Sequence, residues 1–600
     1  MPQLKAIPRN AEGGPDALPQ WRLDDLYAAP EAPELEADLD WARREAEGFR
    51  AKYAGRLAAL GGEELAEAIG AYESIVERTH RTAAYAQLYF SMDMSDPPRG
   101  RFLQDIQERN NAISVETLFF TLELNRLDDE VIERQLTHPA AARYAPWIRD
   151  CRVFRPHQLS DELESLLHQK SVTGRSAWIR LFEQSTARMR FPLNGEELPL
   201  SDVLNLMSHS DGDKRRAAAK SLGQGLGERI ELFTLITNTL AKDKEIEDRW
   251  RRYPTPVSYR NLANRVEDEV VDALVTAIRS AYQELAHRYY QIKATWFGKE
   301  ALDYWDRNAP LPGGDERIFS WGQARETVLD AFRAFHPLMA QTSQPFFEGG
   351  WIDAAPRPGK DAGAYSHPTV PSVHPYILMN FYGRPRDVMT LAHELGHGVH
   401  QVLAGEQGVL MAETPLTLAE TASVFGEMLV FRALLDAEND PRQRRRLLAS
   451  KVEDMLNTVV RQIAFHEFER RVHDERSRSE LSSDRLGEIW FDVQRESLGP
   501  AIRFDDEYRC YWAYIPHFVH SPFYVYAYAF GDCLVNSLYQ TYRNGLEGFT
   551  DKYIDMLRAG GTLMHHDLLK PFGLDARDPQ FWRNGIDVIV GLIDEIETLE

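Results

Sequence analysis

The chain has 600 residues, of which 43% are hydrophobic and 27% charged, and a formal net charge of −23. That is the balance of an ordinary globular protein with room for a large core and roughly two to four domains. The negative charge excludes a nucleic-acid backbone as partner and discourages adsorption to anionic membranes.

Residues 1–20 are polar, rich in Pro and Gly, and lack the apolar core of a secretory signal; a flexible arm is expected there. No run of about eighteen apolar residues occurs, so no membrane-spanning helix is expected. Cys151, Cys510 and Cys533 are scattered and odd in number, which suits neither a disulfide framework nor a zinc knuckle. Together these features predict a soluble, cytoplasmic protein.

From Trp21 onward helical periodicity takes over. Segments 33–60, 63–93 and 99–126 place apolar residues at three- and four-residue steps. The breaks Gly61-Gly62 and Asp96-Pro97-Pro98 suit helix hairpins. His80, among charged residues, reads as a surface residue. Met189 to Leu200 has Asn194-Gly195 between short apolar runs, the signature of a β-hairpin. Helices are expected to restart at Ser201-Asp202 and at Asp211-Gly212-Asp213. The expected organisation is an N-terminal helical region over 21–190 and a catalytic region over 191–600. No internal repeat is evident.

The stretch 346–383 is irregular and rich in Gly and Pro. Within it Pro375 to Tyr382 is an apolar run of strand length. Two readings stand equal: a core strand, or a strand along a cleft that pairs with an extended peptide by edge addition.

Leu391 to His400 contains His393-Glu394-Leu395-Gly396-His397, the pattern His-Glu-x-x-His. On a helix, residues four apart share a face, so two imidazoles can converge on one zinc ion. Glu394 beside them can reach a water at the metal without being a ligand, as a general base must. Asp387 is the expected N-cap and Gly405 the expected stop. Gly396 and Gly398 each weaken the helix by about 1 kcal/mol relative to Ala, a cost that suits a site where other backbone or substrate passes close by.

A catalytic zinc needs a third ligand and an open position. A second helix is expected to start near Thr417, and Glu413, Glu420 and Glu427 are its candidate carboxylates. Glu413 falls in the connecting loop. The short reach from the first helix favours Glu420, although Thr417-x-x-Glu420 also matches a capping box. Glu427 stays open as ligand, as surface charge, or as acceptor from a ligand imidazole.

These runs, with Met379-Asn380-Phe381, Arg386-Asp387-Val388 and Ala419-Glu420-Thr421-Ala422-Ser423, resemble peptidase family M3. The likeness is closest to its oligoendopeptidase F branch. Trp21-x-Leu23-x-x-Leu26-Tyr27, Asn194-Gly195-Glu196 and Leu557-x-Ala559-Gly560-Gly561 extend it, more loosely, over nearly the whole chain. The resemblance implies one Zn²⁺ held by His393, His397 and Glu420, with Glu394 as base. It further implies a mainly α, two-lobed fold with a deep substrate channel and a small β-sheet beside the zinc helix. Short unstructured peptides would be the substrates.

Residues 511–530 are crowded with aromatic and histidine side chains. His517, His520, Tyr524, Tyr526 and Tyr528 could donate to an oxyanion, or simply pack as core. Family M3 carries a histidine and tyrosines in the corresponding stretch, and this chain is shorter between them. The resemblance implies His517, Tyr524 and Tyr526 as the substrate contacts; His520 and Tyr528 stay open. His565-His566 reads as a solvated loop. Two other functions are carried forward: a dipeptidyl-carboxypeptidase or metallocarboxypeptidase, which would need a cationic clamp for a C-terminal carboxylate, and a peptide-binding scaffold with structural zinc.

Overall fold

The computed structural model describes residues 17–312 and 317–599, so residues 1–16 of the expected arm lie outside the described residues. Helices dominate. α1 (Pro33–Tyr53), α2 (Gly62–Ser91) and α3 (Pro97–Arg126) follow the apolar periodicity and are separated by the expected breaks. β1 (Phe191–Leu193) and β2 (Glu196–Leu198) form the expected hairpin. Asn194 and Gly195 take positive φ of 52° and 85° at its turn, as a two-residue connection matched to strand twist requires. α4 (Gly212–Gly227) begins after Asp211, whose carboxylate accepts from the Asp213 N–H.

β3 (Leu302–Asp303) is followed by β4 (Ile352–Asp353), β5 (Tyr365–His367) and β6 (Tyr376–Leu378). α5 (Pro385–Ala404) carries the His-Glu-x-x-His motif, and α6 (Leu416–Ala437) follows after a short connection. α7 (Val460–Arg476), β7 (Ile502–Arg503), which pairs in parallel with β3, and α8 (Tyr526–Arg543) come later. Among the described residues, no helix is long and apolar enough to cross a membrane.

Contacts divide the chain into two compact units. Unit 1 comprises Met1–Arg155, Glu316–Glu438 and Tyr542–Gly573; unit 2 comprises Pro156–Asp315, Asn439–Thr541 and Leu574–Glu600. In unit 1, α1, α2 and α3 bury an aromatic cluster in which Phe49 and Phe120 lie edge to face at 5.0 Å. Each fully buried ring of this kind contributes roughly 1.5–3 kcal/mol. Tyr376 and Leu378 of β6 join that core, and Trp21 lies edge-on to Tyr376 at 6.0 Å. The first described segment is tied down as well: the Ala354 N–H donates to the Pro19 carbonyl at 2.9 Å, and the Arg22 N–H to the Gly350 carbonyl at 2.8 Å.

The unit 1 sheet has the order β4-β6-β5, with β6 parallel to β4 and antiparallel to β5. All three β6 residues are buried. The apolar run is therefore a core strand with a partner on each side, and the reading of it as an edge for peptide addition is corrected. Lys360 braces this sheet, its buried ammonium donating to Asp353 Oδ1 at 2.9 Å and to the Met379 carbonyl at 2.6 Å.

Candidate active site

The motif helix starts two residues earlier than its expected cap. Pro385 occupies the first turn with its φ preset, Arg384 is the N-cap, and Asp387 lies inside the first turn. The Asp387 carboxylate accepts from the backbone N–H groups of Tyr382 at 2.8 Å and Arg384 at 3.0 Å. The helix ends at Ala404, and Gly405 opens a 3₁₀ turn.

α5 and α6 pack with their backbones nearly touching. A Cβ on Gly396 would lie 2.4 Å from the Ala422 carbonyl oxygen, and one on Gly426 would lie 3.3 Å from that of Ala392. Those pairings make the two helices antiparallel. Gly398 meets the Phe346 ring in the same way, at 2.6 Å. The helix-weakening glycines are thus accounted for by close approach, which exceeds the propensity cost in importance because a larger residue would force the helices apart.

This packing brings His393 and His397 of α5 against Glu420 of α6. The Nε2 atoms lie 3.4 Å and 3.6 Å from Glu420 Oε2. One ligand atom from each residue falls within 4.8 Å of the others, the spacing of a set that could hold a metal ion. Donors at about 2.1 Å from a tetrahedral ion stand roughly 3.4 Å apart, and both nitrogen-to-oxygen distances are of that size. A nitrogen–nitrogen–oxygen set also suits that ion chemically and leaves a coordination position open.

The orientation of each group has a cause. His393 Nδ1 lies 3.2 Å from Glu427 Oε2, which fixes that ring nitrogen as the donor and leaves Nε2 for the convergence point. The His397 ring bonds to the Ala419 carbonyl. The Ser423 hydroxyl donates to Glu420 Oε2 at 2.6 Å. Ser423 is the residue that sequence reasoning missed; its signal is the three-residue step from Glu420 on one helix face. Burial pulls His393 down, but the Glu427 hydrogen bond and the Glu420 carboxylate outweigh it and raise the imidazole to about 9. Burial pushes His397 down to about 4. Burial raises Glu420, and the two imidazoles overcome it and hold the carboxylate below its ordinary range.

Glu394 is only 5% exposed, and its Oε2 is buried without a hydrogen-bond partner among the described residues. Burial lifts its carboxyl to about 7, against a bond from the Ser366 N–H of edge strand β5. These groups line a cavity of about 870 Å³ in unit 1. Its wall includes β5, His80 and Glu413. His80 is exposed, as expected. No Lys or Arg is among the described residues lining the cavity.

The aromatic–histidine stretch belongs to unit 2. His517 Nε2 lies 3.3 Å from the Tyr528 hydroxyl, the Tyr524 ring stacks near His517 with centroids 6.0 Å apart, and Tyr524 meets Tyr528 edge-on at 5.2 Å. Tyr526 is not brought to this cluster. It is fully buried, and its hydroxyl accepts from Asn264 Nδ2 at 2.9 Å. The reason is the helix start: α8 begins at Tyr526, and Tyr526 and Tyr528, two apart on it, point to different faces. His520 stands apart, 3.4 Å from Glu183. His565 corrects another expectation, being buried in a one-turn helix while His566 is exposed.

Two imidazoles, a carboxylate and a buried glutamate on a cavity wall make a site of the metallopeptidase class. Residues 205–588 match the family model described as peptidase family M3, and residues 123–191 match that described as oligopeptidase F. The chain belongs to peptidase family M3, whose members are in general zinc metallopeptidases. It is 26% identical to oligopeptidase PepF of Bacillus subtilis, over 96% of this chain and 87% of that one. It is 24% identical to an oligoendopeptidase F homolog of Borreliella burgdorferi, over 89% and 91%. Among solved structures, a Chlamydophila abortus protein solved as a candidate peptidase superposes with a TM-score of 0.86 at 22% identity, covering 98% of this chain and 99% of that one. Oligoendopeptidase-F of Enterococcus faecium gives 0.70 at 22%, covering 94% and 99%. The mainly α fold is thus shared across the whole chain, and the activity is that of an M3 oligopeptidase.

Proposed function

We propose that this M3 peptidase is a zinc-dependent oligoendopeptidase in which His393, His397 and Glu420 hold the ion and Glu394 is the general base. The observation that carries the reading is the convergence of those three side chains within 4.8 Å on two touching helices. A zinc ion held there supplies Lewis acidity to the substrate carbonyl and to a water molecule.

The chain's own residues do the rest. Glu394, lifted to about 7 by burial, accepts a proton from water near neutral pH and returns it to the departing amine nitrogen. Glu427 and Ser423 hold His393 and Glu420 in their ligand orientations. Of the candidate oxyanion donors, His517, Tyr524 and Tyr528 form one cluster and Tyr526 is committed to Asn264. Tyr528 accordingly replaces Tyr526 in the proposal.

The relatives' names, oligopeptidase and oligoendopeptidase F, support short peptides as substrates. The three cysteines are free thiols, which supports work in a reducing compartment such as the cytoplasm. The test is digestion of a mixed peptide library of graded lengths, with products read by mass. Internal cuts in short peptides, abolished by a chelator and restored by zinc, are expected. Intact peptides after incubation with metal-loaded protein would overturn the reading.

A further inference from the structure

Unit 2 holds two half-buried positive charges that the chemistry above leaves idle. Arg307 and Arg461 act electrostatically on each other and on the same three rings, Tyr290, Tyr508 and Tyr514. The Nε atom of each guanidinium is buried without a hydrogen-bond partner. Their partners are neutral: Arg307 bonds the Tyr508 hydroxyl, and Arg461 lies with its Cζ 5.0 Å from the Phe465 ring centroid.

The nearby acids are already taken. Glu453 Oε1 accepts from Lys293 Nζ and from the Tyr289 hydroxyl, both at 2.6 Å. Lys293 also donates to the Arg307 carbonyl at 2.7 Å. Asp306, next in sequence to Arg307, is bound by Arg215 at 2.7 Å and by Lys299 at 2.6 Å. Arg215 shows how this fold treats a buried arginine whose role is purely structural, by pairing it with a carboxylate. Arg307 and Arg461 have none among the described residues, in a chain whose net charge is −23. Two half-buried guanidiniums that pair with no carboxylate repel each other. The planar forks they present match a carboxylate.

The cluster adjoins the aromatic–histidine stretch. His517 is held below the usual imidazole range by burial, by His520 and by Arg461. His517 in turn contacts Tyr524 and Tyr528.

We propose that Arg307 and Arg461 form a carboxylate-binding subsite in unit 2, filled by the C-terminal carboxylate of a bound peptide. A free carboxylic acid offers the same chemistry, and the arms of the test separate the two sources. The peptide arm rests on the oligopeptidase reading.

The test measures binding to full-length E394Q protein, which holds peptide without turnover, using one short fluorescent peptide as its free acid and as its amide. The free acid is expected to bind roughly tenfold tighter or more, as for a charge-assisted bond. That preference should vanish in the R461Q and R307Q backgrounds, and sodium acetate should compete with the acid only. Equal binding of acid and amide, with acetate raising the melting temperature of the wild type but not of R461Q, assigns the subsite to free acids. Equal binding with no response to acetate overturns the proposal. Turnover of the same peptide by the wild type reports separately on the peptidase reading. Because repulsion is relieved, R461Q without carboxylate should melt at or above the wild type. A marked drop in melting temperature with the acid preference intact would return the arginines to a structural role. Should neither variant fold, the wild-type preference for acid over amide decides alone.

Discussion

His393, His397, Glu420 and Glu427 stand on two long helices whose backbones touch, whereas His517 and Tyr524 stand on a broken path of turns that leads to Tyr528. In the first region, side-chain direction follows from helical spacing and from glycines that let α5 and α6 meet. In the second, a nine-residue 3₁₀ segment, a one-turn helix and a left-handed Phe523 (φ 59°) precede α8. Each break resets the face on which the next residue appears. A regular element thus carries its register from one residue to the next, and an irregular one must be held residue by residue by distant partners.

The contrast can be broken or sharpened by substitution. The largest effect is expected for Glu394→Gln, which should lower kcat/KM by roughly 10²–10⁴-fold while elemental analysis finds wild-type zinc. Near-normal turnover by the metallated variant would remove Glu394 from the base role. In the irregular region, Tyr528→Phe should lower kcat by roughly 10²–10³-fold with little change in KM, as for a lost oxyanion donor. Tyr526→Phe should leave kcat alone and cost about 1 kcal/mol of stability in denaturant titration, since only the Asn264 bond is lost. The reverse pattern would restore Tyr526 as the donor.

Metal affinity discriminates within the regular region. Glu427→Ala removes a bond to the His393 imidazole and should weaken zinc binding by roughly 10–100-fold. Glu420→Ala should weaken it further, and the opposite ranking in a competition titration would exchange the two carboxylates. Gly396→Ala tests the packing of the helix pair itself. Its Cβ would stand 2.4 Å from the Ala422 carbonyl, so α5 and α6 must separate, at roughly 1–3 kcal/mol. A melting temperature equal to that of the wild type would mean that the helix pair yields easily.

Much of this molecule is legible from local pattern. The first three helices, the Asn194-Gly195 hairpin and the motif helix each depend on residues a few positions apart, so periodicity and turn chemistry suffice to read them. The pairing of His393 with His397 belongs to that class; the meeting of Tyr524 with Tyr528 does not, since Tyr524 precedes α8.

What the tertiary structure alone decided involves partners far along the chain. The Tyr526 hydroxyl is claimed by Asn264, 262 residues away. β6 becomes a central strand because β4 and β5 flank it. Which carboxylate faces both imidazoles, and which only one, follows from the antiparallel meeting of α5 and α6. The pair Arg307 and Arg461, which no carboxylate claims, is invisible in a composition dominated by acids, because the prior claims on Asp306 and Glu453 make those two charges unusual. Sequence by itself determined the helices and the kind of chemistry they carry, since both are written in short spacings. The direction of each remaining side chain was settled by long-range packing, which no short spacing encodes.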